Sequence, residues 1–476
     1  MNSEYVLGVM KTKVSKFLIL AVALLLVLSV ISICRSDKTG KQTPGNIAVN
    51  TVSTGKMTPD GIPDGHGMTE KPADPVAQGS VDLFLNNPAA SLSSSESAIR
   101  VRTAQINKDG IDSLSEGGTL RLNLFDDVDC DAKINDSYTD VNGARVVTGT
   151  IDVDDAKGYL YMSTVSGKTT AFVDIPSEDR IFSAGSENGV DYSILEHDTK
   201  KLDVVRNEND SLSRKMVKFN SAGQLENADY QSPENFSASP DASASDAVMD
   251  LMIAYTPAAR KWAAGNYQGP IENIMAIAVA RANTAFANSK TGARLRIVHS
   301  QEINYVAAGE AGGSSSADLN SITFSEAVQS LRNKYGADIV TLVTACDDIG
   351  GLGWLYCGDS SFAFNLCRVK QLANSYTLAH ECGHNMGCGH SKAQLGNAPG
   401  YFPYSAGWQW IGRNGKGYHT VMTYGSAAHP LEVPFFSNPS ILYGGNPTGD
   451  SRDADNSRTI INLKHRVSSF RPTTDY

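Results

Sequence analysis

His380-Glu381-Cys382-Gly383-His384-Asn385-Met386-Gly387-Cys388-Gly389-His390 is the stretch from which the rest of the chain can be read. Two histidines four residues apart share one face of a helix, where they can grip a single ion. Glu381 lies beside that face, placed to take a proton from an attacking water. Gly387 falls where the helix has to stop, because glycine reaches positive φ without a steric penalty. The turn it permits brings His390 back as a third nitrogen donor. Three protein ligands plus an open position are the arrangement of a catalytic zinc, whereas a structural zinc has all four positions filled by protein.

Strands and helices alternate on either side of this segment. Residues 251–255 form a continuous apolar strand stopped by Thr256-Pro257. Ile274, Ile277, Val279, Ala282 and Phe286 recur at helical spacing, and residues 295–298, 325–334 and 338–343 read as strand, helix and strand. This predicts an α/β fold for residues 247–476. Ahead of it, residues 81–205 carry short strands. Leu120, Leu122 and Leu124 share a face, residues 146–151, 159–162 and 170–175 follow, and Asn142-Gly143 and Ser166-Gly167 mark turns. That texture predicts a small β-rich domain. Residues 35–80, rich in Thr, Pro, Gly and Asp, read as a flexible linker. Residues 206–246 read as a second linker, with Ser-rich runs and the dibasic pair Arg214-Lys215 open to proteases.

At the N-terminus Lys11, Lys13 and Lys16 precede an apolar run from Phe17 to Ile33. Residues 1–34 therefore read as a secretory signal peptide, with an uncleaved N-terminal anchor as the rival. Lipid attachment at Cys34 is a minor option, because Ile33 stands where a small residue is expected. Either way the remainder meets an oxidising compartment, secreted or extracytoplasmic, and at the periplasm or cell surface if the segment is retained. The 476 residues are 41% apolar and 19% charged, a globular balance that excludes a wholly disordered chain or a fibre. The net charge of −10 argues against nucleic acid as a partner. Its source is residues 35–246, with 34 Asp+Glu against 20 Lys+Arg, whereas residues 247–476 hold 16 against 18.

The 380–390 segment resembles the long zinc signature of the metzincin metalloproteases, and Val421-Met422-Thr423-Tyr424 resembles their methionine turn. Residues 248–472 are similar to the bacterial reprolysin (adamalysin)-like branch, with 250–257 as its opening strand and 436–439 and 456–471 as its closing segment. Residues 81–205 look like its propeptide. The resemblance implies a secreted zinc metalloendopeptidase made as a zymogen. Its catalytic domain would be a metzincin-like zincin, a twisted mixed sheet and a zinc-binding helix around a cleft. One catalytic Zn²⁺ would be held by His380, His384 and His390, polarising the scissile carbonyl and activating a water. Glu381 would accept that water's proton and return it to the leaving amine. Met422 would floor the site. Tyr424, two residues on, matches in spacing a tyrosine that ligates zinc or stabilises the oxyanion in the astacin and serralysin branches; packing or hydrogen bonding is its alternative role. The primary pocket wall would follow the turn, near residues 427–434.

The implied partners are protein or peptide substrates, lying extended along an edge strand. Membrane contact would come only through an uncleaved N-terminal segment. Structural Ca²⁺ has no support in the sequence. Two other classes stay open: a surface-attached binding or adhesion protein with a low-turnover zinc site, and a zinc amidase acting on cell-wall peptides. Glu381 beside an open position argues against the first.

Cys346, Cys357, Cys367, Cys382 and Cys388 belong to the C-terminal half, and in an exported chain disulfides are their expected use, with the pairing open. Cys382 should point into the core. Cys130 is the lone cysteine between the signal region and residue 248 and sits among Asp127, Asp129 and Asp131. At a loop tip its thiolate could occupy the open zinc position and impose latency. An aspartate switch, a disulfide and a free thiol are the alternatives.

Overall fold

The computed structural model describes residues 80–86, 91–92, 97–186, 191–202, 217–219, 225–227, 245–266, 269–356, 358–395 and 400–474. The expected signal or anchor, the first linker as far as residue 79, Arg214-Lys215, the Ser-rich runs ahead of residue 245, Cys34 and Cys357 lie outside these. Among the described residues no helix is long and apolar enough to cross a membrane.

The N-terminal β-rich region is one ten-stranded sheet. Its strands are β1 (Val81–Asp82), β2 (Ser91–Leu92), β3 (Ala98–Gln105), β4 (Thr119–Phe125), β5 (Val128–Thr139), β6 (Arg145–Val153), β7 (Ala156–Val165), β8 (Lys168–Ile175), β9 (Arg180–Gly185) and β10 (Asp191–His197). They run in the order β1-β4-β5-β6-β7-β8-β9-β10-β3-β2, antiparallel except where β1 meets β4. The turns at Asn142-Gly143 and Ser166-Gly167 join β5 to β6 and β7 to β8 as expected. Successive side chains face opposite ways. Leu120, Leu122, Val147, Leu160, Met162 and Val173 pack inside this region, whereas Val146, Tyr159, Tyr161 and Phe172 pack into the core of the C-terminal half. Burial on both faces explains the unbroken run from Tyr159 to Met162, since a strand wetted on one side alternates instead.

A small hairpin, β11 (Val217–Phe219) and β12 (Leu225–Asn227), precedes the C-terminal half. There β13 (Ala247–Tyr255), β14 (Ala293–Glu302), β15 (Ile339–Thr344), β16 (Gly351–Gly353) and β17 (Phe364–Arg368) form a sheet in the order β14-β13-β15-β17-β16. Four strands are parallel and β16, at the edge, is antiparallel to β17. Helix α1 (Ile271–Asn288) buries Ile274, Ile277, Val279, Ala282 and Phe286, the residues whose spacing predicted it. It packs on β14 and on β7 of the N-terminal sheet. Two shorter helices, α2 (Val369–Asn374) and α3 (Thr377–Asn385), follow β17, and α4 (Asn456–Val467) closes the chain.

The disulfide expectation is corrected. Cys130, Cys346, Cys367, Cys382 and Cys388 are all unbridged. The last four are buried, with Cys382 Sγ 3.6 Å from Asn365 Nδ2 and Cys388 Sγ 3.8 Å from the Asn456 carbonyl. Burial pushes the Cys382 thiol up to about 12. These thiols serve as small core side chains, which is the commonest fate of a buried free cysteine.

Candidate metal centre

Helix α3 carries His380, Glu381 and His384, and ends in a double hydrogen bond of the Schellman type. The Cys388 amide donates to the Gly383 carbonyl and the Gly387 amide to the His384 carbonyl, both at 2.9 Å. Gly387 sits at φ +87°, and a Cβ there would lie 2.8 Å from Leu463 Cδ1 of α4. Conformation and space both demand glycine. The reversal returns His390 to the helix, so that its Nε2 lies 2.9 Å from Nε2 of His380 and 3.0 Å from Nε2 of His384.

The far nitrogens settle the tautomers. His380 Nδ1 faces the Val421 carbonyl at 2.6 Å and His384 Nδ1 the Cys388 carbonyl at 3.0 Å, so each donates its proton there. Their Nε2 lone pairs then point at a common centre with that of His390. All three rings are buried. A single shared proton could join only one pair of these nitrogens; a cation between them satisfies all three. The donor set, three neutral imidazoles, suits Zn²⁺.

Glu381 is buried one residue beyond His380 and lines the same cleft as Gly350 and Gly351 at the start of β16, Tyr424 beyond the methionine, and Pro430 to Glu432 of the far wall.

Residues 273–391 match the model of the M12B reprolysin-like metallopeptidase family. Over this span the C-terminal half is similar to the reprolysin-like branch of the metzincins. Curated relatives agree. A peptidyl-Asp metalloendopeptidase of Pseudomonas aeruginosa is 33% identical over 49% of this chain and 42% of its own length. One from Stenotrophomonas maltophilia is 28% identical over 43% of this chain and 49% of its own. The chain thus spans less than half the length of these relatives. A solved chaperone–substrate complex, at 16% identity over 54% of this chain and 37% of its own, has a TM-score of 0.39, too low to bear on the fold.

Residues 421–424, which resemble a methionine turn, pack against helix α3. Met422 is fully buried, with its sulfur against the Gly383 turn of α3. Val421, just before it, supplies the carbonyl that orients His380. The Tyr424 hydroxyl lies 3.5 Å from His390 Nε2, at the mouth of the three-nitrogen centre.

Cys130 is not brought there, and the expectation of a loop-tip thiolate is corrected. It lies within β5, paired with Leu122 of β4, and packs against the inner core of the N-terminal sheet. Burial, with Asp129 and Glu178 nearby, pushes its thiol up to about 11, the opposite of what a zinc-binding thiolate needs. Asp127 and Asp129 are held by Arg100 and Arg121. The cleft is instead covered by the corner between β8 and β9, which contributes Phe172, Asp174, Pro176, Asp179 and Arg180 to its lining. Lys416 Nζ donates a hydrogen bond to the Ser177 carbonyl of this corner. No local motif announces these residues, and neither Asp174 nor the arginine opposite it, Arg281, stood out in the sequence. The one available signal is Arg281 itself, a charge four residues after Ile277 on the buried face of α1.

Proposed function

We propose that this protein is an exported zinc metalloendopeptidase, made as a zymogen, that hydrolyses peptide bonds beside aspartate. The observation that carries the reading is the convergence of three buried Nε2 atoms with Glu381 beside them. That the similar proteins are peptidyl-Asp metalloendopeptidases supports the aspartyl preference. His380, His384 and His390 would hold Zn²⁺, which would supply Lewis-acid polarisation of the substrate carbonyl. The Glu381 carboxylate takes the proton of the attacking water and passes it to the leaving amine. The Tyr424 hydroxyl donates a hydrogen bond to the developing oxyanion. The free edge of β16 offers an extended peptide a strand to pair with.

The N-terminal sheet acts as the propeptide, since its β8–β9 corner lines the cleft that substrate would enter. Cleavage in residues 206–246 would release it while leaving β13 whole, because that strand begins at Ala247. Casein digestion by the purified full chain, before and after limited proteolysis and with a zinc chelator, tests the reading. Activity should appear on proteolysis, vanish with chelation and return with zinc. Active enzyme whose N-terminus lies upstream of Arg206 would refute the propeptide assignment.

A further inference from the structure

Arg281 is a guanidinium buried to 1% exposure on the apolar face of α1. Its Nη1 donates to the carbonyls of Leu372, Ala373 and Ser375 at 3.2, 2.9 and 3.3 Å, closing the end of α2. Its Nε and Nη2 have no hydrogen-bond partner. They form one edge of the guanidinium fork, the edge that engages a carboxylate through two parallel hydrogen bonds. Buried charged donors left unpaired are costly, so an arginine kept in this state calls for a ligand.

The same cavity, about 140 Å³, holds Asp174 from β8 and extends to His380 and Glu381. Asp174 is buried, and its Oδ2 accepts a hydrogen bond from the Tyr376 hydroxyl at 2.8 Å. Arg281 acts on it electrostatically without a direct ion pair, and Phe172, two residues earlier on β8, lies over the guanidinium at 3.7 Å. One aspartate of the N-terminal sheet therefore occupies a polar pocket of the C-terminal half that opens onto the metal centre.

We infer that Arg281 and Tyr376 form the receptor for an acidic side chain of the substrate, and that Asp174 fills it as an internal substitute while the N-terminal sheet is attached. This rests on the peptidase reading and adds the residues that recognise the substrate. Departure of the sheet would remove Phe172 from the guanidinium and Asp174 from Tyr376 together. The unpaired edge of Arg281 would then meet the carboxylate of an incoming peptide.

The test uses the full chain in two measurements. In the first, Asp174→Ala vacates the pocket, and acetate, the free equivalent of the lost side chain, is added against chloride at equal ionic strength. Acetate should raise the melting temperature of Asp174→Ala, leave wild type unmoved, and lose its effect in Asp174→Ala/Arg281→Lys. Lysine can still reach the α2 carbonyls but lacks the fork, so this variant keeps the helix end closed. In the second, chains activated by limited proteolysis cleave two peptides differing only in Asp or Asn. Wild type should favour the aspartyl peptide by on the order of 10²-fold in kcat/KM, and Arg281→Lys should lose most of that ratio. An unchanged ratio, or an acetate effect that survives Arg281→Lys, overturns the receptor. Wild type that digests casein without favouring aspartate overturns it together with the aspartyl preference and leaves only the zinc peptidase activity standing. A zinc-loaded chain that digests nothing removes the peptidase reading, while the acetate measurement still decides the receptor.

Discussion

Met422 lies so close beneath Gly383 that a Cβ at residue 383 would stand 2.6 Å from its sulfur and 3.0 Å from Phe436 Cε1. The turn and the helix are therefore in backbone-to-side-chain contact, and Val421 holds His380 through the same junction. Gly383→Ala should overpack this contact and cost about 1–3 kcal/mol of stability. Because the shift would move Val421 off His380, zinc affinity should fall too. Urea denaturation and metal titration of the variant give the two readings, and wild-type values in both would show that the junction can yield.

Glu381 is beside the metal ligands and not one of them. Glu381→Gln should keep full zinc content while losing about 10²–10⁴-fold in peptidase activity, the usual worth of general-base assistance. His384→Ala should lose metal and activity together. Activity of Glu381→Gln within roughly threefold of wild type would remove its assignment as the base.

Tyr424→Phe isolates a single hydroxyl. Its oxygen is 3.5 Å from His390 Nε2, and the backbone of Tyr424 is separately held by Gln394 and Gln409. The ring should keep its position, so kcat should fall by up to about 10²-fold, as for loss of one oxyanion donor, with little change in KM. A loss confined to KM would mean that the hydroxyl binds substrate only.

Cys130→Ala should leave the latency of the unprocessed chain unchanged, because the thiol faces the inner core of its own sheet. With its thiol pushed up to about 11, Cys130 is protonated throughout the neutral range. The thiolate fraction, and with it alkylation by iodoacetamide, should rise roughly tenfold per pH unit between about pH 7 and 10. At pH 8 the reaction should be roughly 100-fold slower than for a thiol of ordinary acidity. Rapid alkylation at neutral pH, or release of activity by Cys130→Ala, would restore the thiolate switch.

The zinc motif, the glycine that ends its helix and the methionine turn were legible from residue spacing, because each depends on contacts within a few residues or on a fixed helical period. His380, His384 and His390 meet for the same reason, once Gly387 takes positive φ. The strands and helices around them were legible from apolar periodicity, since burial on one face leaves a period of about 2 or 3.6 residues. What covers the cleft was not. Cys130 drew attention by parity of cysteines, yet strand register turns it toward its own core, because neighbouring side chains of a strand face opposite sides. Asp174 and Tyr376 stand 202 residues apart in sequence and Arg281 lies between them, so no local pattern connects the three. They meet only because the N-terminal sheet is apolar on both faces and buries its second face on α1. Packing between distant segments, and not any periodicity within one, decided where that aspartate sits.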